Sequence, residues 1–549
     1  MRAFCSALPI ALALAGCSSN EESRSADAGC PESGCPDAAA PIDWEERSLC
    51  AAIRGNGDRV FAHFASLARI VEHYGPIDAA AGGSSASISI FLTESIQGHP
   101  QTHACEGDPC APRERADRIA LLFKSMAGYT EILADTPEGL ALRLLAPLAA
   151  QIREAGLAEL IETDLSAARD ALLDLLDSED LRTLINPELI DLIVESDDPL
   201  FHLRDLVGEL ENLGSFHTDD PSIFARPGPI DFEAFAELVG RVGSFYAGEG
   251  PLDDAAMERF FADCAGPSRG LLWDEAAALP SGDTTCGERF RVILEDWREA
   301  FVEAGGEGAR IDDPVGGELS ALISTSVLTG SSADAFDDAR AQYLAAQEDI
   351  ELGDIDFDDV RFGYWGQSED LSRVHGDREG FGDDKTERFL PLGAASWREA
   401  LRYSPAEPGL ARALELDQAW VSAGGWSDLH PTLVLQNLGC DEVIYVTRRG
   451  AESNFAQGVA ELLGMDEATR EDLYALDAES SFARSVEEAD ATWCTDWDNQ
   501  SAFDIAAMSE HAYNAPLESV SEYFRGVDEP YDELVDSTGH PGCTPGAAP

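Results

Sequence analysis

The sequence predicts an α/β protein with a mostly parallel central sheet, split by a long, mostly helical insertion. Three observations predict it. Leu49-Cys50-Ala51-Ala52-Ile53-Arg54 reads as a short buried strand running into Gly55-Asn56-Gly57-Asp58-Arg59 and then a helical pattern of Phe61, Phe64, Leu67, Ala68 and Val71. After the Gly75-Pro76 break the same order repeats: strand Ile77–Ala81, turn Gly82-Gly83-Ser84-Ser85, amphipathic segment Ile88–Ile96. From about residue 111 to 399 the spacing turns helical, as at Leu121, Leu122 and Met126 or Leu172, Leu173 and Leu176, and Leu322–Leu328 and Val360–Trp365 read as strands returning to the sheet.

The start of the chain reads as an export signal. Met1 and Arg2 precede an apolar run, Ala7–Ala15, too short to span a bilayer, which ends in Leu14-Ala15-Gly16-Cys17. A small-residue site ending in cysteine resembles the bacterial lipobox. That resemblance implies cleavage after residue 16, lipidation of Cys17 and anchoring to the cell envelope, at the outer membrane. Each buried methylene of such a lipid contributes roughly 0.8 kcal/mol. Residues 17–45 have almost no large apolar side chains and read as a flexible tether.

Composition narrows the partners. With 37 basic against 104 acidic residues the net charge is -67, a field that opposes nucleic acid and, at close range, an anionic membrane surface. Lys124 and Lys385 are the only lysines. The alternating acids Asp354–Asp359 begin like a calcium loop but lack its glycine and terminal glutamate, so no metal site is expected. Of 12 cysteines, Cys5 leaves with the signal and Cys17 carries lipid. The other ten suggest disulfides, with Cys30/Cys35, Cys105/Cys110 and Cys264/Cys286 the natural close pairs and Cys50, Cys440, Cys494 and Cys543 left open.

The chemistry-bearing stretch is Ile77–Ile88. A strand, a sharp turn of tiny residues around a serine, and a helix N-terminus behind it are what a nucleophile elbow requires. Gly82-x-Ser84-x-Ala86 departs from G-x-S-x-G only in its last residue. Upstream, Gly55-Asn56-Gly57 can point successive N–H groups at one spot. These stretches resemble the patatin-like phospholipases. That family's oxyanion loop, G-G-G-x-[KR]-G, matches Gly55–Val60 except at Asn56 and Val60, and its I-D-x-x-A-G-T-S-A-G-A-I run lies without gaps on Ile77–Ile88. Ala400–Leu410 looks like the family's A-x-x-x-S-x-A-x-P-G loop, Gly424–Pro431 like G-G-x-x-x-N-x-P, and Gly439–Val446 like the strand that follows.

The resemblance implies a three-layer α/β fold with Ser84 as nucleophile, Ser85 second to it, and Gly55, Asn56 and Gly57 as oxyanion donors. His63 reads as a packing or hydrogen-bonding histidine. It also implies a lipid or other acyl-ester substrate and no metal or organic cofactor. One departure stands out: the family's catalytic aspartate falls at Ala423, which cannot take a proton. Four explanations compete: the acid has moved to Asp428, five residues on; Asp417 or His430 serves; the register differs; or the site is dead. An oxyanion hole without a base still leaves about 10³–10⁴-fold catalysis over water.

The expected organisation is a signal (1–16), a tether (17–45), core segments at 46–110 and 400–450 flanking the insertion or cap (111–399), and a helical C-terminal extension (451–549) in which Trp493–Asp498 forms an aromatic-acidic loop. The function expected is an envelope-anchored serine acyl-ester hydrolase. The rival is a catalytically degenerate lipoprotein that keeps the fold as a lipid- or partner-binding scaffold.

Overall fold

A computed structural model describes residues 48–55, 60–104, 110–133, 185–195, 230–249, 254–265, 284–293, 309–346, 360–376, 389–406, 414–416, 419–422, 431–448, 489–495, 512–513 and 517–519, with isolated positions at 164, 166–167, 170–171, 227–228 and 295. Outside them lie Cys17, the tether, Asn56, Gly57, Asp417, Ala423, Asp428 and His430, as well as Cys30, Cys35, Cys105, Cys543 and the acidic run 354–359.

Ten strands among the described residues form one sheet: β1 (Leu49–Ile53), β2 (Ala79–Gly83), β3 (Ser320–Leu328), β4 (Val360–Trp365), β5 (Phe389–Gly393), β6 (Leu414–Leu416), β7 (Ala419–Ser422), β8 (Glu442–Arg448), β9 (Ala491–Thr495) and β10 (Leu517–Ser519). Their order is β10-β9-β8-β1-β2-β3-β4-β5. The run β9-β8-β1-β2-β3 is parallel throughout, and β4, β7 and β10 join antiparallel. This is an α/β fold. Every residue of β1 and β2 is buried, as expected of parallel strands covered on both faces.

Helices among the described residues include α1 (Val60–Tyr74), α2 (Ser85–Gln97), α3 (Pro100–His103), α4 (Pro112–Leu133), α5 (Pro187–Glu195), α6 (Phe232–Tyr246), α7 (Asp254–Cys264), α8 (Gly330–Leu344), α9 (Ser368–Gly376), α10 (Trp397–Tyr403) and α11 (Pro431–Leu438). Alternate residues of the central strands, Ala51, Ile53, Ala80, Ala321 and Ile323, share one core with α1, α2, α4 and α6. On the opposite face α11 packs against β1, β2 and β8 and meets α9.

Two features differ from the sequence expectation. Within the C-terminal segment, Trp493 and Cys494 belong to β9, parallel to β8, and not to a loop. Trp493 is fully buried and its indole N–H donates to the Ala512 carbonyl at 2.9 Å. The aromatic and threonine residues here suit a pleated, packed surface, and Asp490 before them accepts from the Val443 amide at 2.8 Å, so the acid at the strand's edge serves the sheet. Cys264 and Cys286, expected to form a disulfide, are buried thiols that hydrogen-bond to each other. The disulfide left open joins Cys50, at the start of β1, to Cys440, before β8, with Cα atoms 6.1 Å apart. It links adjacent parallel strands across 390 residues of chain.

Part of the insertion is core. α6 lies across α2 so closely that a Cβ at Gly243 would fall in the Phe91 ring and 3.1 Å from Ser95 Oγ. Its Asp231 N-cap accepts from the Glu233 and Ala234 amides, which fixes where the helix begins.

The last two turns of α1 hold a buried charge cluster. Glu72 accepts from the Lys124 ammonium of α4, from the Tyr513 hydroxyl, and from Arg69 at 3.2 Å, and all four side chains are at most 6% exposed. Burial alone would lower Lys124, but Glu72 and Tyr513 beside it more than reverse that and hold it above its ordinary value. Burial, reinforced by Glu72, pushes the Tyr513 phenol up to about 12. One of the chain's two lysines thus sits in the interior, bonded to a carboxylate.

Candidate active site

The site lies at the carboxyl ends of β1 and β2, where open α/β sheets bind ligands. Ser84 follows β2 directly and is the N-cap of α2. Its backbone stands at φ 53, ψ -129, outside the regions open to ordinary side chains. Among the described non-glycine residues only Ala346 also has positive φ. Such a conformation costs of order 1–3 kcal/mol and persists only where the surroundings impose it. Ser85, the second candidate, is instead the first helical residue of α2.

The surroundings are visibly imposing. A Cβ on Gly82 would collide with the Ile53 carbonyl oxygen and come within 2.8 Å of Ala86 Cβ, so the residues two before and two after Ser84 touch and must be tiny. A Cβ on Gly55 would stand 2.8 Å from the Gly83 carbonyl oxygen and 3.0 Å from Ser84 Cβ. The first glycine of the upstream loop is therefore packed directly against the serine. Asn56 and Gly57, its partners in the expected oxyanion hole, follow it in the chain but fall outside the described residues.

Both backbone polar groups of Ser84 are held by other hydroxyls. Its N–H donates to Ser404 Oγ at 2.9 Å, and its carbonyl accepts from Ser87 Oγ at 2.6 Å and Ser87 N at 3.0 Å. Ser404 in turn donates to the Ser324 carbonyl of β3 at 2.8 Å. The Ser84 hydroxyl itself makes no capping bond to α2, although serine at an N-cap ordinarily does so. Ser84 stands at the helix N-terminus, where a developing negative charge is favoured. Ser84 is 7% exposed, reachable but largely shielded from water.

His63 is not part of this group. Its Nδ1 lies 2.8 Å from Ser89 Oγ, one turn down α2, and complete burial lowers its pKa to about 3, so it is a neutral packing histidine. Among the described residues no carboxylate or imidazole hydrogen-bonds Ser84 Oγ, and no group of three or more His, Cys, Asp or Glu could hold a metal ion. No helix among them is long and apolar enough to cross a membrane.

The register of β7 brings it end to end with β2 along β3. β4 occupies the far edge of β3 along Ile323–Leu328, so β7 takes the near edge, the one β2 leaves at Gly83. β7 runs antiparallel to β3, head-on toward β2. Its last residue, Ser422, pairs with Ser326, two positions along β3 from Ser324, the partner of Gly83. β7 thus ends at Ser422 with its carboxyl end directed at the end of β2; positions 423 to 430 lie outside the described residues.

Sequence reasoning missed what Ser404 does, though it quoted the motif that contains it. Ser404 is the C-cap of α10, a helix started by a Ser396–Glu399 capping box and pinned to α2 by Trp397, whose indole N–H donates to Glu94 at 3.1 Å. The serine in Ala400–Leu410 was the available signal. In comparison with known proteins, no protein-family model matches this chain, and no curated protein matches it in sequence.

Proposed function

We propose that this chain is a serine acyl-ester hydrolase of the patatin-like kind, a phospholipase or lipid esterase held at the cell envelope by lipid on Cys17. The observation that carries the reading is Ser84, strained at a strand-to-helix turn, its hydroxyl uncommitted and its Cβ packed on Gly55. In this mechanism Ser84 Oγ attacks the ester carbonyl. Backbone N–H groups of the loop at Gly55, Asn56 and Gly57 hold the oxyanion, and water releases the acyl group from the serine. The proton acceptor comes from the segment that follows β7, whose last residue, Ser422, pairs two positions beyond the Gly83 partner on β3. Because position 423 is alanine, Asp428 takes that role.

Hydrolysis of a soluble nitrophenyl ester by the purified mature chain tests this. Ser84→Ala should reduce turnover to background, and Asp428→Asn should lower it by 10²-fold or more, within the range of general-base catalysis. Turnover unchanged in Asp428→Asn removes that residue from the mechanism. Ala423 and Ala86 favour a second reading, a non-catalytic lipid- or partner-binding scaffold, which predicts no Ser84-dependent turnover in well-folded protein.

A further inference from the structure

We propose that Ser404 is a positioning residue for the Ser84 nucleophile, the group that holds the elbow in its reactive conformation; this rests on the reading of Ser84 as nucleophile. A serine hydroxyl has one hydrogen and two acceptor lone pairs. Ser404 gives its hydrogen to the Ser324 carbonyl at 2.8 Å, which leaves a lone pair for the Ser84 N–H at 2.9 Å. The hydroxyl thus bridges the end of β3 to the amide of the strained residue. It is completely buried, so water does not compete for either bond.

The bridge sits where the sheet stops holding itself. The β2–β3 register ends at Gly83↔Ser324, and the chain turns out of the sheet at the next residue. That amide would otherwise lack a ladder partner. Ser404 supplies one at the point where the positive φ begins, while Ser87 holds the carbonyl on the other side.

Ser404 is itself fixed from outside the elbow. Besides the Trp397–Glu94 bond, α10 packs Trp397 at a tilt against Phe91 of α2, ring centroids 5.2 Å apart. Arg398 reaches Glu237 of α6 at 3.0 Å and Asp312 at 2.8 Å, and Arg402 reaches Glu233 at 2.8 Å. A hydroxyl anchored this way does not follow a relaxing turn. Without it, Ser84 can relax away from its strained angles and carry Oγ off the line of attack.

The test compares wild type, Ser404→Ala and Ser404→Thr for kcat and KM on a soluble nitrophenyl ester, and for the rate of labelling by a fluorophosphonate probe, far below each variant's melting temperature. A positioning role predicts a 10- to 100-fold fall in kcat and labelling rate for Ser404→Ala, KM within twofold of wild type, and recovery of most of the loss in Ser404→Thr. Should Ser404→Ala not fold, Ser404→Cys, which keeps the volume but offers a weak acceptor, replaces it with the same expectation. Wild-type kcat and labelling in a folded Ser404→Ala or Ser404→Cys, with wild type itself reactive, overturns the role of Ser404 alone. A wild type that neither turns over ester nor labels overturns the nucleophile reading and this inference together.

Discussion

The two ends of the helices behind the sheet are built on opposite principles. At the carboxyl ends of β1 and β2 the described groups packed on Ser84 are small and uncharged: Gly55, Gly82, Ala86 and the hydroxyls of Ser87 and Ser404. There the backbone is strained. In the last turns of α1 the chain instead buries full charges, Glu72 with Lys124 and Arg69, around an unstrained helix. The first end forces one residue into an unfavourable geometry. The second is a network that destabilises the fold severely when one member is missing. The contrast separates reactivity from stability, and variants at the two ends should move different quantities.

The largest effect is expected in the charge cluster. Glu72→Gln leaves Lys124 and Arg69 buried without their carboxylate and should lower unfolding stability by about 3–5 kcal/mol in denaturant titrations, with reactivity per folded molecule unchanged. Gly82→Ala, at the other end, should destabilise by about 1–3 kcal/mol through overpacking against Ile53 and Ala86 and should also abolish ester turnover. Equal activity in Gly82→Ala would contradict the account of the turn.

Two buried histidines make a pH prediction. His63 and His99 are lowered by burial to about 3 and about 4, so between those values and 6.5 the unfolded chain binds protons that the folded chain does not. Stability from them is complete above pH 6.5 and is lost on acidification, at up to about 1.4 kcal/mol per pH unit for each. Asp117 has the opposite sign: burial raises it to about 6, so its contribution is present below pH 4 and lost as pH rises through 6. Burial raises Glu94 and Glu188 as well, with the same sign as Asp117, so the histidine contribution is read by substitution: from pH 6.5 to 5 the melting temperature of His63→Asn should fall less, or rise more, than that of wild type.

Smaller effects sharpen the comparison further. Ser84→Gly should be more stable than Ser84→Ala by about 1 kcal/mol, since only glycine takes φ 53 without strain, and both should be inactive. Thr325, fully buried on β3, has a hydroxyl without a hydrogen-bond partner among the described residues. Thr325→Val keeps its shape and should stabilise by less than about 1 kcal/mol, read from the denaturation midpoint.

Much of the sheet was legible because fully buried parallel strands leave short apolar runs between turn residues. Leu49–Ile53 is β1, and Val360–Trp365 coincides with β4. The elbow was legible because the turn tolerates only tiny residues, and Gly82, Gly83 and Ala86 record that constraint in the chain. What was not legible depends on contacts hundreds of residues apart. Trp493 reads as loop beside Asp496 and Asp498 until β8 lies next to it. Ser404 looks like any serine after a helix until it meets Ser84, 320 residues away. The head-on approach of β7 to β2 is a property of register on a third strand, which no local spacing encodes.

The most direct test of the central claim is to label the mature wild-type chain and Ser84→Ala with a fluorophosphonate probe and map the modified peptide by mass spectrometry. An activated serine beside an oxyanion hole predicts one adduct, on Ser84, absent from Ser84→Ala. A folded wild type that takes no label, or takes it equally in Ser84→Ala, would contradict the assignment of Ser84 as nucleophile.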